Sequence, residues 1–169
     1  MTIRKILFPV DFSPSCDAMV PIVKRSAAVF SARVTLLYVL EPSASLTYGF
    51  ELRVRPLREV EEDRERVARA KLGTYLLSKF PLDESPGLLV AGEAAAGIAK
   101  VAKDLSFDLI VMPTRAGVFQ RMLLGSITAK VLNDADCKVM TTQHAETILP
   151  RPLAHREWVC AARGGQPNS

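Results

Sequence analysis

The chain has 169 residues, enough for one domain with a buried core. Apolar residues make up 49% of it and the mean hydropathy is +0.15, which excludes a disordered polypeptide. No apolar run reaches the ~18 residues of a membrane span. Met1 to Lys5 leads straight into a strand-like run, so neither a signal peptide nor a membrane partner is expected. The net charge of +4 comes from 22 basic and 18 acidic residues, and the two signs interleave. The run Arg58-Glu59-Val60-Glu61-Glu62-Asp63-Arg64-Glu65-Arg66 suits a solvated helix face with i,i+4 pairs, not a nucleic-acid stripe. Cys16, Cys137 and Cys160 form no CxxC pair, and the chain has only two histidines, so no metal site is expected. Reduced thiols fit a cytoplasmic protein.

In chain order, Ile3 to Val10 is the first apolar run, with Ser13-Pro14 behind it as a helix start: a hydroxyl N-cap and a proline at the first helical position. The helix that follows places Met19, Ile22, Val23 and Val29 on one face, and Pro21 is expected to kink it or shift its start. Val34 to Leu40 is the second strand. Glu41 to Arg55 reads as a connector or a lid. Pro56 to Phe80 is a long amphipathic helix marked by Leu57, Val60, Val67, Leu72, Leu76 and Leu77. A weaker strand, Leu88 to Ala91, precedes a helix over Ala94 to Asp104. Leu109 to Met112 is a strand, Ile127 to Asn133 a helix, and Lys138 to Thr142 the last strand. Strands apolar on both faces, alternating with helices, predict an α/β fold with a parallel sheet covered on both faces. Such a sheet binds ligands outside the carboxyl ends of its strands, where the strand order reverses.

Three segments carry candidate chemistry. Asp11 directly follows the first strand, where a carboxylate either accepts hydrogen bonds from a base or ribose or caps the next helix. Gly125-Ser126 opens the helix at 127, and its free N–H groups and positive dipole end suit a phosphate; the alternative is an ordinary helix start. Thr114-Arg115-Ala116-Gly117 follows the fourth strand, and Arg115 meets either a phosphate or solvent. Cys16, one turn into the first helix, is either a redox-sensitive thiol or a buried structural cysteine.

Read as an ordered set, these segments resemble the universal stress protein family. The matching pieces are Lys5-Ile6-Leu7-Phe8-Pro9-Val10-Asp11-Phe12-Ser13, Val34-Thr35-Leu36-Leu37-Tyr38-Val39 and Phe107-Asp108-Leu109-Ile110-Val111-Met112. Leu123-Leu124-Gly125-Ser126-Ile127-Thr128-Ala129-Lys130-Val131-Leu132 and Ala135-Asp136-Cys137-Lys138-Val139-Met140 complete the set. The resemblance implies a universal stress protein domain over residues 1–143 and a C-terminal tail over 144–169. It implies a five-stranded parallel sheet of order 3-2-1-4-5 with helices on both faces, Rossmann-like and similar to the adenine nucleotide alpha hydrolases. It also implies a homodimer through the last strand, 138–142. Nucleotide-binding relatives hold ATP or AMP, with Mg²⁺ beside ATP. Their contacts carry over to Pro9, Val10, Asp11 and Val39 for adenine and ribose, to Gly125, Ser126 and Ile127 for phosphate, and to Met112 and Pro113 at the fourth strand's end.

The sequence departs from that family in its phosphate loop, which has the form G-x-x-G-x9-G-[ST] in nucleotide binders. Pro113 stands at the first glycine and Ala116 at the second, and the spacer is one residue short, 117–124. Proline has no N–H to donate, and alanine resists positive φ by about 1 kcal/mol or more. Two readings follow. One is a stress-response binder of ATP or AMP, hydrolysing ATP slowly at most. The other is a nucleotide-free homodimeric interaction module. In the tail, Arg156-Glu157-Trp158-Val159-Cys160-Ala161 loosely echoes the first strand, as the start of a second copy or as a plain extension.

Overall fold

The computed structural model describes residues 2–42, 57–81, 85–114 and 125–142. Five strands alternate with four helices: β1 (Lys5–Pro9), α1 (Pro14–Phe30), β2 (Arg33–Leu40), α2 (Leu57–Lys79), β3 (Gly87–Ala91), α3 (Ala94–Asp104), β4 (Leu109–Pro113), α4 (Ser126–Asp134) and β5 (Lys138–Thr142). Every strand pair is parallel and the sheet order is β3-β2-β1-β4-β5. Right-handed crossovers then place α1 and α2 on one face and α3 and α4 on the other.

Alternation along the strands divides the core in the same way. Ile6, Phe8, Val34, Leu36, Leu109 and Val111 pack with Cys16, Met19 and Val23 of α1 and with Leu72 and Tyr75 of α2. Leu7, Leu37, Ile110 and Met112 pack with Ala95, Ile98 and Ala102 of α3 and Val131 of α4. Both faces of the central strands are dry, so Ile6, Leu7 and Phe8 are all fully buried.

Local chemistry sets the helix ends. The Ser13 hydroxyl accepts the Cys16 N–H at 3.3 Å and Pro14 opens α1, as the sequence predicts. Ser31 closes α1 at φ +52. A Glu93 carboxylate oxygen accepts the Ala96 N–H at 2.7 Å and starts α3. The charged run on α2 forms exposed pairs, Arg58–Glu62, Arg66–Asp63 and Arg69–Glu65.

Several expectations are corrected. α1 starts at Pro14 and continues through Pro21 to Phe30; Pro21 lies on the exposed face and shifts neither end. Val29 is 71% exposed, and Cys16 and Ser26 take the buried stripe instead. On α2, Val67 and Leu77 point to solvent, while Ala68 and Tyr75 join Leu72 inside. The first strand is shorter than the apolar run, because Val10 lies past its end. The Glu41–Arg55 connector beyond position 42, the 115–124 loop and the 144–169 tail lie outside the described residues.

Candidate functional site

The sheet is not equally zipped. β1–β2, β2–β3 and β4–β5 each register five residue pairs, whereas β1–β4 registers two, Ile6↔Leu109 and Leu7↔Ile110. The cause is Pro9. Arg33 N–H donates to the Arg4 carbonyl and Val10 N–H to the Leu37 carbonyl, so the even residues of β1 bond toward β2 and the odd ones toward β4. The next β1–β4 pair, Phe8 with Val111, needs a Pro9 N–H that does not exist. One step further, Pro113 likewise has no N–H to send toward β1. Two prolines thus stop the ladder on both lips, and the sheet opens at the strand-order reversal, where α/β sheets bind ligands.

Polar groups face this opening from both sides. On β2, Leu37 bonds toward β1, while Leu36 N–H and the Leu40 carbonyl bond toward β3. By alternation the N–H and carbonyl of Val39 point toward β1, two residues beyond the Leu37–Val10 bond. The Val39 side chain turns the other way, among the residues packed on the α3–α4 face, and a Cβ on Gly97 of α3 would lie 3.2 Å from it. Asp11 is exposed, and its Oδ1 accepts the Ser13 N–H at 2.9 Å, so the carboxylate is held at the turn entering α1. Val10 and Met112 are core residues, 5% exposed each, and form the floor with their backbones.

On the other lip, α4 begins at Gly125, which serves as N-cap with no side-chain cap hydrogen bond. The first-turn amides of Ser126, Ile127 and Thr128 therefore have no capping oxygen from Gly125. Ser126 is exposed, and Ile127 is half-buried against the α3–α4 face. Thr128, which no sequence pattern marks, fixes this end: 2% exposed, its hydroxyl donates to the Pro113 carbonyl at 3.2 Å. Thr114 also ties the lip outward, because its N–H and hydroxyl both donate to the Thr142 carbonyl, at 3.1 and 2.7 Å. Pro113 pairs with Thr142. The end of β4 is thereby tied to β5 and not folded over the opening. Arg115 and Ala116 lie outside the described residues.

Beneath Asp11 lies a cluster that joins α1 to α2. Phe12 adopts φ +60, which costs a bulky residue about 1–2 kcal/mol. Its ring contacts Tyr38 at 4.7 Å and the edge of Tyr75 at 5.3 Å between centroids, and the Lys71 ammonium sits 4.5 Å from its centre. The Tyr75 hydroxyl is 3.7 Å from the Cys16 sulfur. Burial pushes the Cys16 thiol up from its ordinary range and holds the Tyr75 phenol protonated. Lys79 bonds the Asp17 carboxylate at 2.9 Å and holds it below the usual range.

A cavity of about 1100 Å³ lies elsewhere, at the opposite end of the sheet, with Lys5, Lys24, Arg33, Phe80 and Phe107 among its lining residues. It contains none of the candidate residues. Near that end Asp108 closes the start of the β1–β4 seam: its Oδ2 accepts the Arg4 and Lys5 N–H groups at 2.8 and 3.0 Å, which lower its pKa. No group of three or more His, Cys, Asp and Glu that could hold a metal is present among the described residues. No described helix is long and apolar enough to cross a membrane.

Comparison with known proteins agrees with this fold. A universal stress protein of Methanocaldococcus jannaschii is 25% identical over 83% of this chain and 94% of its own length, and universal stress protein A homolog 1 of Coxiella burnetii is 27% identical over 83% and 96%. The solved structure of the Methanocaldococcus jannaschii protein superposes with a TM-score of 0.67 at 24% identity, covering 84% of this chain and 96% of that one. Two solved relatives carry a nucleotide: a universal stress protein in complex with cAMP (TM-score 0.54, 20% identity, 86% and 99% covered), and one from Archaeoglobus fulgidus in complex with dAMP (0.54, 16%, 83% and 98%). The profile of the Universal stress protein family matches residues 2–143, so the chain belongs to the universal stress protein family.

Proposed function

We propose that this universal stress protein binds an adenine nucleotide, ATP or AMP, in the opening between β1 and β4, and acts as a cytoplasmic binder and switch, not as a fast enzyme. The observation that carries the reading is the β1–β4 ladder that Pro9 stops after Leu7. It leaves the Val39 backbone and the Asp11 carboxylate on one side and the α4 N-terminus, whose Gly125 cap brings no side-chain oxygen, on the other. Val39 and Asp11 take the base and ribose, with Pro9, Val10 and Met112 as floor; Gly125, Ser126 and Ile127 take the phosphates. Relatives solved with cAMP and dAMP support an adenine ligand. Mg²⁺ accompanies ATP through the phosphate oxygens.

Titration calorimetry with ATP and Mg²⁺, and separately with AMP, tests the reading. Saturable binding that Asp11→Ala weakens by about tenfold or more is expected, the loss of one hydrogen bond to a charged acceptor. No heat at millimolar nucleotide would overturn it.

A second reading, a nucleotide-free interaction module, is favoured by one observation: Pro113 removes an amide from the lip that faces the phosphates. Nucleotide carried through a native purification rules this out. In both readings residues 1–143 form the domain, 144–169 the tail, and the chain pairs with a second copy through β5.

A further inference from the structure

Phe12 combines two features that rarely coincide: a bulky side chain and a left-handed backbone at φ +60. It is the residue between Asp11 and Ser13, so its φ sets where the Ser13 N–H that holds the Asp11 carboxylate at 2.9 Å lies. Something must hold that conformation. The ring meets Tyr38 of β2 and, edge-on at 5.3 Å and 70°, Tyr75 of α2. Tyr75 is itself fixed, 9% exposed, with its hydroxyl 3.7 Å from the Cys16 sulfur at the base of the same turn and the Lys79 ammonium 5.9 Å from its ring centre. α2 therefore grips the Asp11 turn at two points, through Phe12 and through Cys16.

We propose that Tyr75 is the positioning residue for Asp11: its ring pins Phe12 in the left-handed conformation, and that pin aims the carboxylate at the opening between β1 and β4. The proposal takes its ligand from the nucleotide reading above. The ring, not the hydroxyl, supplies the pin, so Tyr75→Phe preserves it and Tyr75→Leu removes it.

A double-mutant cycle and one nucleotide-free measurement test this. ATP affinity is measured by calorimetry for wild type, Tyr75→Phe, Tyr75→Leu, Asp11→Asn and the Tyr75→Leu/Asp11→Asn pair, at a temperature where circular dichroism shows all five folded. Tyr75→Leu is expected to weaken ATP about tenfold, Tyr75→Phe less than about twofold, and the pair no more than about twofold beyond Tyr75→Leu alone, because both changes remove one interaction. Effects that add in full overturn the proposal. Independently, the Ser13 amide proton, bonded to the Asp11 carboxylate at 2.9 Å, is read by NMR without nucleotide. Its resonance is expected to shift upfield in Tyr75→Leu and in Asp11→Asn alike and to stay in place in Tyr75→Phe. If wild type binds no ATP, the nucleotide reading fails and the Ser13 resonance alone decides the positioning claim. Should Tyr75→Leu not fold, Phe12→Gly removes the pinned ring from the other side, and an unchanged Ser13 resonance there overturns the proposal.

Discussion

The Cys16 sulfur is fully buried under the Asp11–Phe12 turn. Burial raises its pKa, so the thiolate that reacts with alkylating reagents is scarce at neutral pH. The redox-sensor reading of this residue therefore loses to the structural one. Native protein treated with iodoacetamide and digested for mass spectrometry is expected to leave Cys16 unmodified, and full labelling is expected only after denaturation. Modification of Cys16 in the folded protein at the rate of a free thiol would contradict that burial. The neighbouring residues show how much of the site a sequence can hold. Asp11 and Gly125-Ser126 stand next to obvious strand and helix ends, so position alone marks them. Tyr75 and Thr128 do not: each reads as one more residue of a helix, and their roles come from partners 59 and 15 positions away, the Cys16 sulfur and the Pro113 carbonyl. No local pattern encodes such a partner.

At the scale of elements, the seam between β1 and β4 has a closed end and an open one. Asp108 closes the first by accepting the amides of Arg4 and Lys5 at the start of β1, and Pro9 opens the second by offering none. Restoring an N–H with Pro9→Val is expected to let β1 bond the Val111 carbonyl and lengthen the ladder. The new amide would then exchange slowly with solvent, and ATP affinity would fall by about tenfold as the lip narrows. A fast-exchanging amide at position 9 would show that something else holds the strands apart. The closed end has a pH signature. The folded-state pKa of Asp108 lies below its unfolded value, because the Arg4 and Lys5 amides favour the charged form. Its contribution is therefore complete above the unfolded pKa and disappears as pH falls through the folded one, that is, below about pH 4. In thermal melts Asp108→Ala is expected to lower Tm at pH 7, with the gap to wild type shrinking as the acid limb is entered. A gap that stays constant down to pH 2 would mean the carboxylate charge is irrelevant. Strand and helix positions were readable from apolar runs and caps to within a residue or two. The asymmetry of the seam was not, because it depends on which way each backbone N–H points, and that follows from register, not from composition.

Over the whole molecule, the parallel sheet leaves two edges, β3 and β5, among the described residues. Alternation along β5 can be fixed at both ends. Lys138 N–H donates to the Asp108 carbonyl and the Thr142 carbonyl accepts from Thr114, so residues 138, 140 and 142 bond inward to β4. The backbone groups of Val139 and Thr141 then face outward, a short row of donors and acceptors of the kind that recruits a second strand. The proposed homodimer uses that row. Thr141→Pro tests it with little collateral damage. Proline removes only the outward N–H, leaves every bond to β4 intact, and is tolerated on edge strands. The preceding Met140 is already extended, which is what a following proline requires. Sedimentation velocity is expected to show wild-type dimer and Thr141→Pro monomer with the same far-ultraviolet circular dichroism. If Thr141→Pro sediments as a dimer, β5 is not the seam. If both are monomers, the sheet edge is free and the switch must act through a different chain. Because β5 also anchors Thr114 and so the β4 lip of the opening, a strand added to β5 stiffens the side of the site that meets the phosphates. Dimer dissociation and nucleotide affinity are then linked, and Thr141→Pro is expected to weaken ATP by several-fold although position 141 lies on β5, beside Met112 and across β4 from the opening.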